Sequence, residues 1–104
     1  MTGKNGLFAV SVVWWPKPGC EHDVECLLRA MRELTLQEAG CVAYWVHRVE
    51  DSSAFLLYEQ YVDREAYESH HETSHYQTLV GEEAPALIIG RISTLSSQMF
   101  ATQL

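Results

Sequence analysis

The residues best suited to chemistry crowd into one stretch, Tyr58–Tyr76, which reads YEQYVDREAYESHHETSHY and holds Glu59, Tyr61, Tyr67, His70, His71 and His75. Histidine titrates nearest neutral pH, so three of them beside phenols and a carboxylate suit proton transfer with a bound organic molecule. The two-residue period of a strand puts Phe55, Leu57, Glu59 and Tyr61 on one face. Three-and-four spacing puts Tyr67, His70 or His71, and Ser74 on one face of a helix. A tight turn at Asp63 lets the two faces meet around one cavity. An acid on the helix-covered side of a strand is costly when unpaired, so Glu59 is expected to meet a hydrogen-bonding partner, a nearby histidine for preference.

Each of these residues has a plainer reading. His70 could simply bridge its helix to Glu59, a structural pair without turnover. His71 and His75 stand four apart with Glu68 and Glu72 about them, a spacing that can ligate metal from one helix face. No motif places a third ligand, so no metal is expected, and His71, Glu68 and Glu72 read as solvated helix surface. Trp14 or Trp45 could stack on a flat ring, although tryptophan's apolar area more often puts it in a core or interface. His22 and His47 carry no signal.

The elements that must position these groups follow from periodicity. Leu7–Trp15 (LFAVSVVWW) is a strand closed by Pro16-Lys17-Pro18-Gly19. Glu21–Ala39 carries Val24, Leu27, Leu28, Met31 and Leu34 at helical spacing, with Cys26 as a small core residue and Gly40 where a C-terminal cap belongs. Cys41–Val49 and Ala54–Val62 are strands joined by a four-residue loop, a hairpin signal. Asp63 caps a helix that starts at Arg64 and runs to about Leu79, with room for a re-initiation at Thr73 or Ser74. Pro85 breaks Gly81–Gly90, and Arg91–Met99 is the last strand. The order β-α-β-β-α-β predicts a single α+β domain over residues 1–104, with a ferredoxin-like antiparallel sheet and two helices on one face.

The strands are apolar on both faces. Phe8, Val10, Val12 and Trp14 oppose Leu7, Ala9, Val13 and Trp15, while Phe55 and Leu57 oppose Leu56 and Tyr58. Two helices cover one face only. The other is expected to be covered by a second copy, giving a homodimer built sheet to sheet as a dimeric α/β barrel. The alternative is a C-terminal segment folded back over it.

Acidic residues outnumber basic ones 14 to 7, so no basic stripe exists for nucleic acid and an anionic membrane would repel the chain. Three cysteines without a C-x-x-C signal neither a disulfide framework nor a zinc knuckle. Met1–Gly6 is polar and the apolar stretch after it is too short to span a bilayer, so a cytoplasmic location is expected.

F-x-L-x-E-x-Y at Phe55–Tyr61, then D-x-E-A-Y-x-x-H at Asp63–His70 and T-x-H-Y at Thr73–Tyr76, resembles the antibiotic biosynthesis monooxygenase (ABM) family. The similarity is strongest over residues 40–80, and the stretch is similar to quinol monooxygenases and to the isomerase of a phosphorylated quorum signal, autoinducer-2. The family also holds anthrone oxygenases and haem-degrading enzymes. The resemblance implies that His70 and His75 fill the family's two histidine positions and Glu59 its strand acid. Leu57 stands where anthrone oxygenases carry Asn and Tyr61 where they carry Trp, while Tyr67 matches their Tyr. A phosphorylated substrate needs clustered cations, and the C-terminal region offers only Arg91.

The function expected from residues and resemblance together is a cofactor-independent monooxygenase acting on a quinol or polyphenolic aromatic with O₂. His70 or His75 is the base, Glu59 assists, Tyr61 and Tyr67 orient the oxygen substituents, and Leu57 with Trp14 or Trp45 contacts the ring. The alternatives are a non-catalytic dimeric module for small-molecule binding or stress response, a phospho-sugar-type isomerase, and a haem-degrading enzyme.

Overall fold

Four antiparallel strands in the order β2-β3-β1-β4 form the frame of this computed structural model, which describes residues 7–100. The strands are β1 (Phe8–Pro16), β2 (Cys41–Arg48), β3 (Phe55–Tyr61) and β4 (Ile88–Ser97). Helices α1 (Glu21–Thr35) and α2 (Arg64–His71) make the two crossovers, the second prolonged by a π-helical segment, Tyr76–Glu83, and a 3₁₀ turn, Ala84–Ala86. This is the ferredoxin-like α+β arrangement that the element order predicts. The polar residues 1–6 lie outside the described part.

One face of the sheet is the core. Phe8, Val10, Val12 and Trp14 of β1 pack with Tyr44, Leu57 and Tyr61 beneath Val24, Leu27, Leu28 and Met31 of α1. Each such side chain taken fully out of water stabilises the fold by roughly 1.5–3 kcal/mol. The opposite face is also apolar and lies open, with Trp45 52% and Ile92 63% exposed beside Trp15 and Leu56. Among the described residues the C-terminal segment does not fold back over it. Residues Ile88–Ser97 instead pair with β1 as an edge strand.

Helix α1 ends at Thr35, four residues before the expected Ala39. The chain then turns through Glu38, whose carbonyl accepts the Cys41 N–H at 3.1 Å. Gly40 is therefore not a helix cap. It is a point of close approach, where a β-carbon would collide with the Ala66 side chain of α2. Cys26, expected in the core, is exposed, because the buried stripe of α1 runs through Val24, Leu27, Leu28 and Met31.

Asp63 caps α2 as anticipated, accepting the Ala66 N–H at 2.8 Å. That helix spans eight residues rather than running to Leu79. The break falls at Thr73, whose hydroxyl donates to the His70 carbonyl and accepts the Tyr76 N–H. A side chain that satisfies backbone groups on both sides of a turn closes one helix and opens the next. No helix among the described residues is long and apolar enough to cross a membrane.

Candidate functional site

Between the covered face of the sheet and the α2–π segment lies a cavity of about 350 Å³, within the range of small-molecule sites. Its floor is apolar, made by Val10, Val12, Trp14, Leu57, Met31 and Val80. Its polar groups are Tyr44 from β2, Glu59 from β3, Tyr67, His70 and His71 from α2, Tyr76 from the π segment, and Arg91 and Ser93 from β4.

Glu59 is 5% exposed and finds its partner two residues along its own strand, where the Tyr61 hydroxyl donates to Oε1 at 2.7 Å. The expected histidine partner is not bonded, since His70 Nε2 stands 4.0 Å from the same oxygen. The period of two explains the substitution, because Tyr61 shares the face of Glu59 and reaches it without a crossover. Burial pushes the Glu59 carboxyl up to about 7, against the Tyr61 bond and helped by the negative charge of Glu38. Burial and the same carboxyl also push the Tyr61 phenol well above its usual range.

The other side of His70 is held by a residue that sequence reasoning missed. His70 Nδ1 and His75 Nε2 lie 2.7 and 2.6 Å from one carboxylate oxygen of Glu38. A carboxylate only accepts, so both ring nitrogens carry their protons toward it, and a neutral His70 has its lone pair on Nε2. Burial outweighs the Glu38 carboxylate and lowers the proton affinity of His70 below the usual histidine value. The result is a neutral imidazole, held by an acid at one nitrogen and presenting the other beside Glu59 in the cavity. This is the base-plus-orienter arrangement of activated proton acceptors.

Trp14, Leu57, Glu59, Tyr67 and His70 all line the cavity. Tyr61 is fully buried behind Glu59, and His75 sits behind Glu38 and reaches the site through it. Trp45 is carried to the open face, where it lies under the Arg32 guanidinium at 5.2 Å. His71, expected on solvated surface, lines the cavity instead and stacks edge-on against Tyr67 with ring centres 4.5 Å apart. Burial, then the Arg91 charge, lowers its proton affinity. Cys41 packs against the core with its thiol pushed up to about 11 by burial, which keeps it protonated and unreactive.

The donor atoms of Glu38, His70 and His75 lie within 4.8 Å of one another, so among the described residues this trio, rather than His71 and His75 with Glu68 and Glu72, is the set that could hold a divalent ion. Glu38 was not legible in the sequence, because the close approach at Gly40 that brings its turn onto α2 is visible only in the fold.

The antibiotic biosynthesis monooxygenase family model matches residues 7–82, most of the chain and every element of the cavity except β4 and the end of the second crossover. The chain belongs to the antibiotic biosynthesis monooxygenase family. Solved structures agree with that membership. Protein PA3566 from Pseudomonas aeruginosa is 25% identical, with a TM-score of 0.84 over 90% of this chain and 95% of its own. Rv0793 from Mycobacterium tuberculosis is also 25% identical, with a TM-score of 0.85 over 90% of this chain and 96% of its own. A structure described as an antibiotic biosynthesis monooxygenase is 27% identical, with a TM-score of 0.80 over 86% of this chain and 95% of its own. No curated protein matches the sequence. The Glu38–His70–His75 trio and the Glu59–Tyr61 pair place His70 and Glu59 on the cavity lining.

Proposed function

We propose that this family member is a monooxygenase that oxidises a quinol or polyphenolic aromatic with O₂, the substrate itself supplying the electrons. The observation that carries the reading is the neutral His70 ring, anchored by Glu38 at Nδ1 and open at Nε2 in a cavity floored by aromatic and aliphatic side chains. Nε2 takes the phenolic proton. The resulting anion is electron-rich enough to pass one electron to O₂, and the two radicals join at a ring carbon as a peroxide. The O–O bond then breaks as that carbon loses its hydrogen. One oxygen stays on the ring and the other leaves as water, the substrate having given all four electrons. Glu59, protonated below about pH 7, can donate to the developing peroxide. Tyr67, which lines the same cavity, orients the ring substituents.

Oxygen uptake with a panel of hydroquinones tests this directly. His70→Ala should lower turnover by roughly 10²–10⁴-fold while the circular dichroism spectrum stays unchanged. Full activity in that variant removes His70 from the chemistry.

The reading includes a second copy of the chain. The open face exposes Trp15, Trp45, Leu56 and Ile92, one large apolar side chain from each of the four strands, a surface of the kind a second copy covers. Sedimentation at micromolar concentration should find a dimer, and a stable lone subunit would count against it. The second reading is a binding module without turnover. It is favoured by the pairing of both histidines with Glu38, which a purely structural network would also show. Saturable binding of a quinol without oxygen consumption would select it.

A further inference from the structure

Two cavity-lining groups take no part in the proton chemistry: the Arg91 guanidinium and the indole N–H of Trp14. They are cross-strand neighbours, paired in the β1–β4 register, with the guanidinium carbon 5.8 Å from the indole centre. Arg91 is exposed, donates to the Tyr76 hydroxyl at 3.2 Å, and has no carboxylate within ion-pair distance among the described residues. Trp14 is 2% exposed and its Nε1 has no acceptor among the described residues. A buried indole N–H usually finds a partner, so an orphan on a residue that lines the cavity is a candidate donor to a ligand once the ring shifts to expose it. Arg91 is the one permanent cation among the cavity-lining residues. Its charge is felt by Glu59 and by His71, which places it in the field of the proton-handling groups. In a chain of net charge −7, an exposed guanidinium at the rim of an otherwise apolar and weakly acidic hollow, without a carboxylate partner among the described residues, is selective for an anion.

We infer that the substrate is an aromatic acid, whose ring carboxylate docks on Arg91 with the Trp14 indole N–H as a further donor while its phenolic end meets His70. A planar carboxylate matches the guanidinium fork, which a neutral quinol leaves unused. The inference deepens the oxygenase reading and rests on it for the phenolic end only.

The test is an anaerobic binding titration with 2,5-dihydroxybenzoate and its methyl ester, followed by oxygen uptake with each. The native protein should bind the acid at least about tenfold tighter than the ester, a single charge-assisted contact's worth. In Arg91→Gln that ratio should collapse to near one, and Arg91→Lys should restore part of it. Trp14→Phe, which keeps a ring and removes the N–H, should weaken the acid a fewfold more than the ester. Equal affinities, a preference for the ester, binding of neither probe, or a ratio that survives Arg91→Gln would each overturn the inference. An Arg91-dependent ratio without oxygen uptake sinks the oxygenase reading and leaves the anion site standing. Oxygen uptake with the ester and no preference for the acid does the reverse.

Discussion

Glu38 and Glu59 approach His70 from opposite sides of its ring, and the contrast between them shows how one fold gives two carboxyl groups different work. Glu38 comes from the turn after α1 and accepts from two imidazoles, His70 and His75. Glu59 comes from the middle of the sheet and accepts from a phenol, with His70 near but unbonded. In the proposed function the first orients the base, and the second, which burial pushes up to about 7, serves as an acid near neutral pH. Environments that drive similar groups apart in this way divide acid from base roles.

The largest expected break in that contrast is Glu38→Ala. It leaves two imidazole N–H groups without their acceptor, one of them on the buried His70, which should cost about 2–4 kcal/mol of stability by urea denaturation. Freed of its anchor, His70 can turn its lone pair away from the cavity, and turnover should fall about a hundredfold or more. Glu38→Gln keeps one acceptor oxygen and should lie between. If Glu38→Ala were as stable and as active as the parent, the anchoring role would be wrong.

Glu59→Gln sharpens the same contrast through pH. Its amide keeps an oxygen for the Tyr61 hydroxyl but cannot ionise. In the native protein the folded Glu59 binds its proton more tightly than the unfolded chain does, so its contribution to stability is intact below about pH 4.5 and is lost as pH rises to about 7. The loss is about 3 kcal/mol across that window. His70 acts in the opposite sense. Its lowered proton affinity favours the unfolded chain as pH falls below 6.5, so the two slopes partly cancel in the native protein. The difference in denaturant stability, Glu59→Gln minus native, should isolate Glu59 and grow from pH 4.5 to 7. A flat difference would show that Glu59 is not held protonated. The alkaline limb of the rate profile near pH 7 should also disappear in this variant.

His75→Gln probes the smallest term. It removes one of two donors from Glu38 and none from the cavity, so turnover should fall only a fewfold and stability by about 1 kcal/mol. A loss as large as that of His70→Ala would make His75 the base instead.

Much of this was legible in the residues themselves. The alternation of β3 assigned Glu59 and Tyr61 to the covered face, and Asp63 announced the start of α2. Thr73 and Ser74 marked a re-initiation that the Thr73 hydroxyl does perform. Three placements were not legible. Trp45 carries the same aromatic label as Trp14, yet the bulge between Cys41 and Ala43 and the strand's alternation set it on the open face. His71 lies next to His70 on a short helix, and only the packing of the π segment through Tyr76 encloses it. Glu38 reads as the solvated end of an amphipathic helix, because periodicity does not report where a helix stops when no cap residue marks the place.

The sequence by itself determined the order of elements, the two apolar faces of the sheet, the acid and phenol on its covered side and the histidines of the second crossover. These are local properties, set by periods of two and of about 3.6 residues and by turn chemistry. Only the tertiary structure decided which acid meets which base. Glu38 is 32 residues from His70 and 37 from His75, and they meet because Gly40 lets one turn close onto a helix at a distance no local pattern encodes.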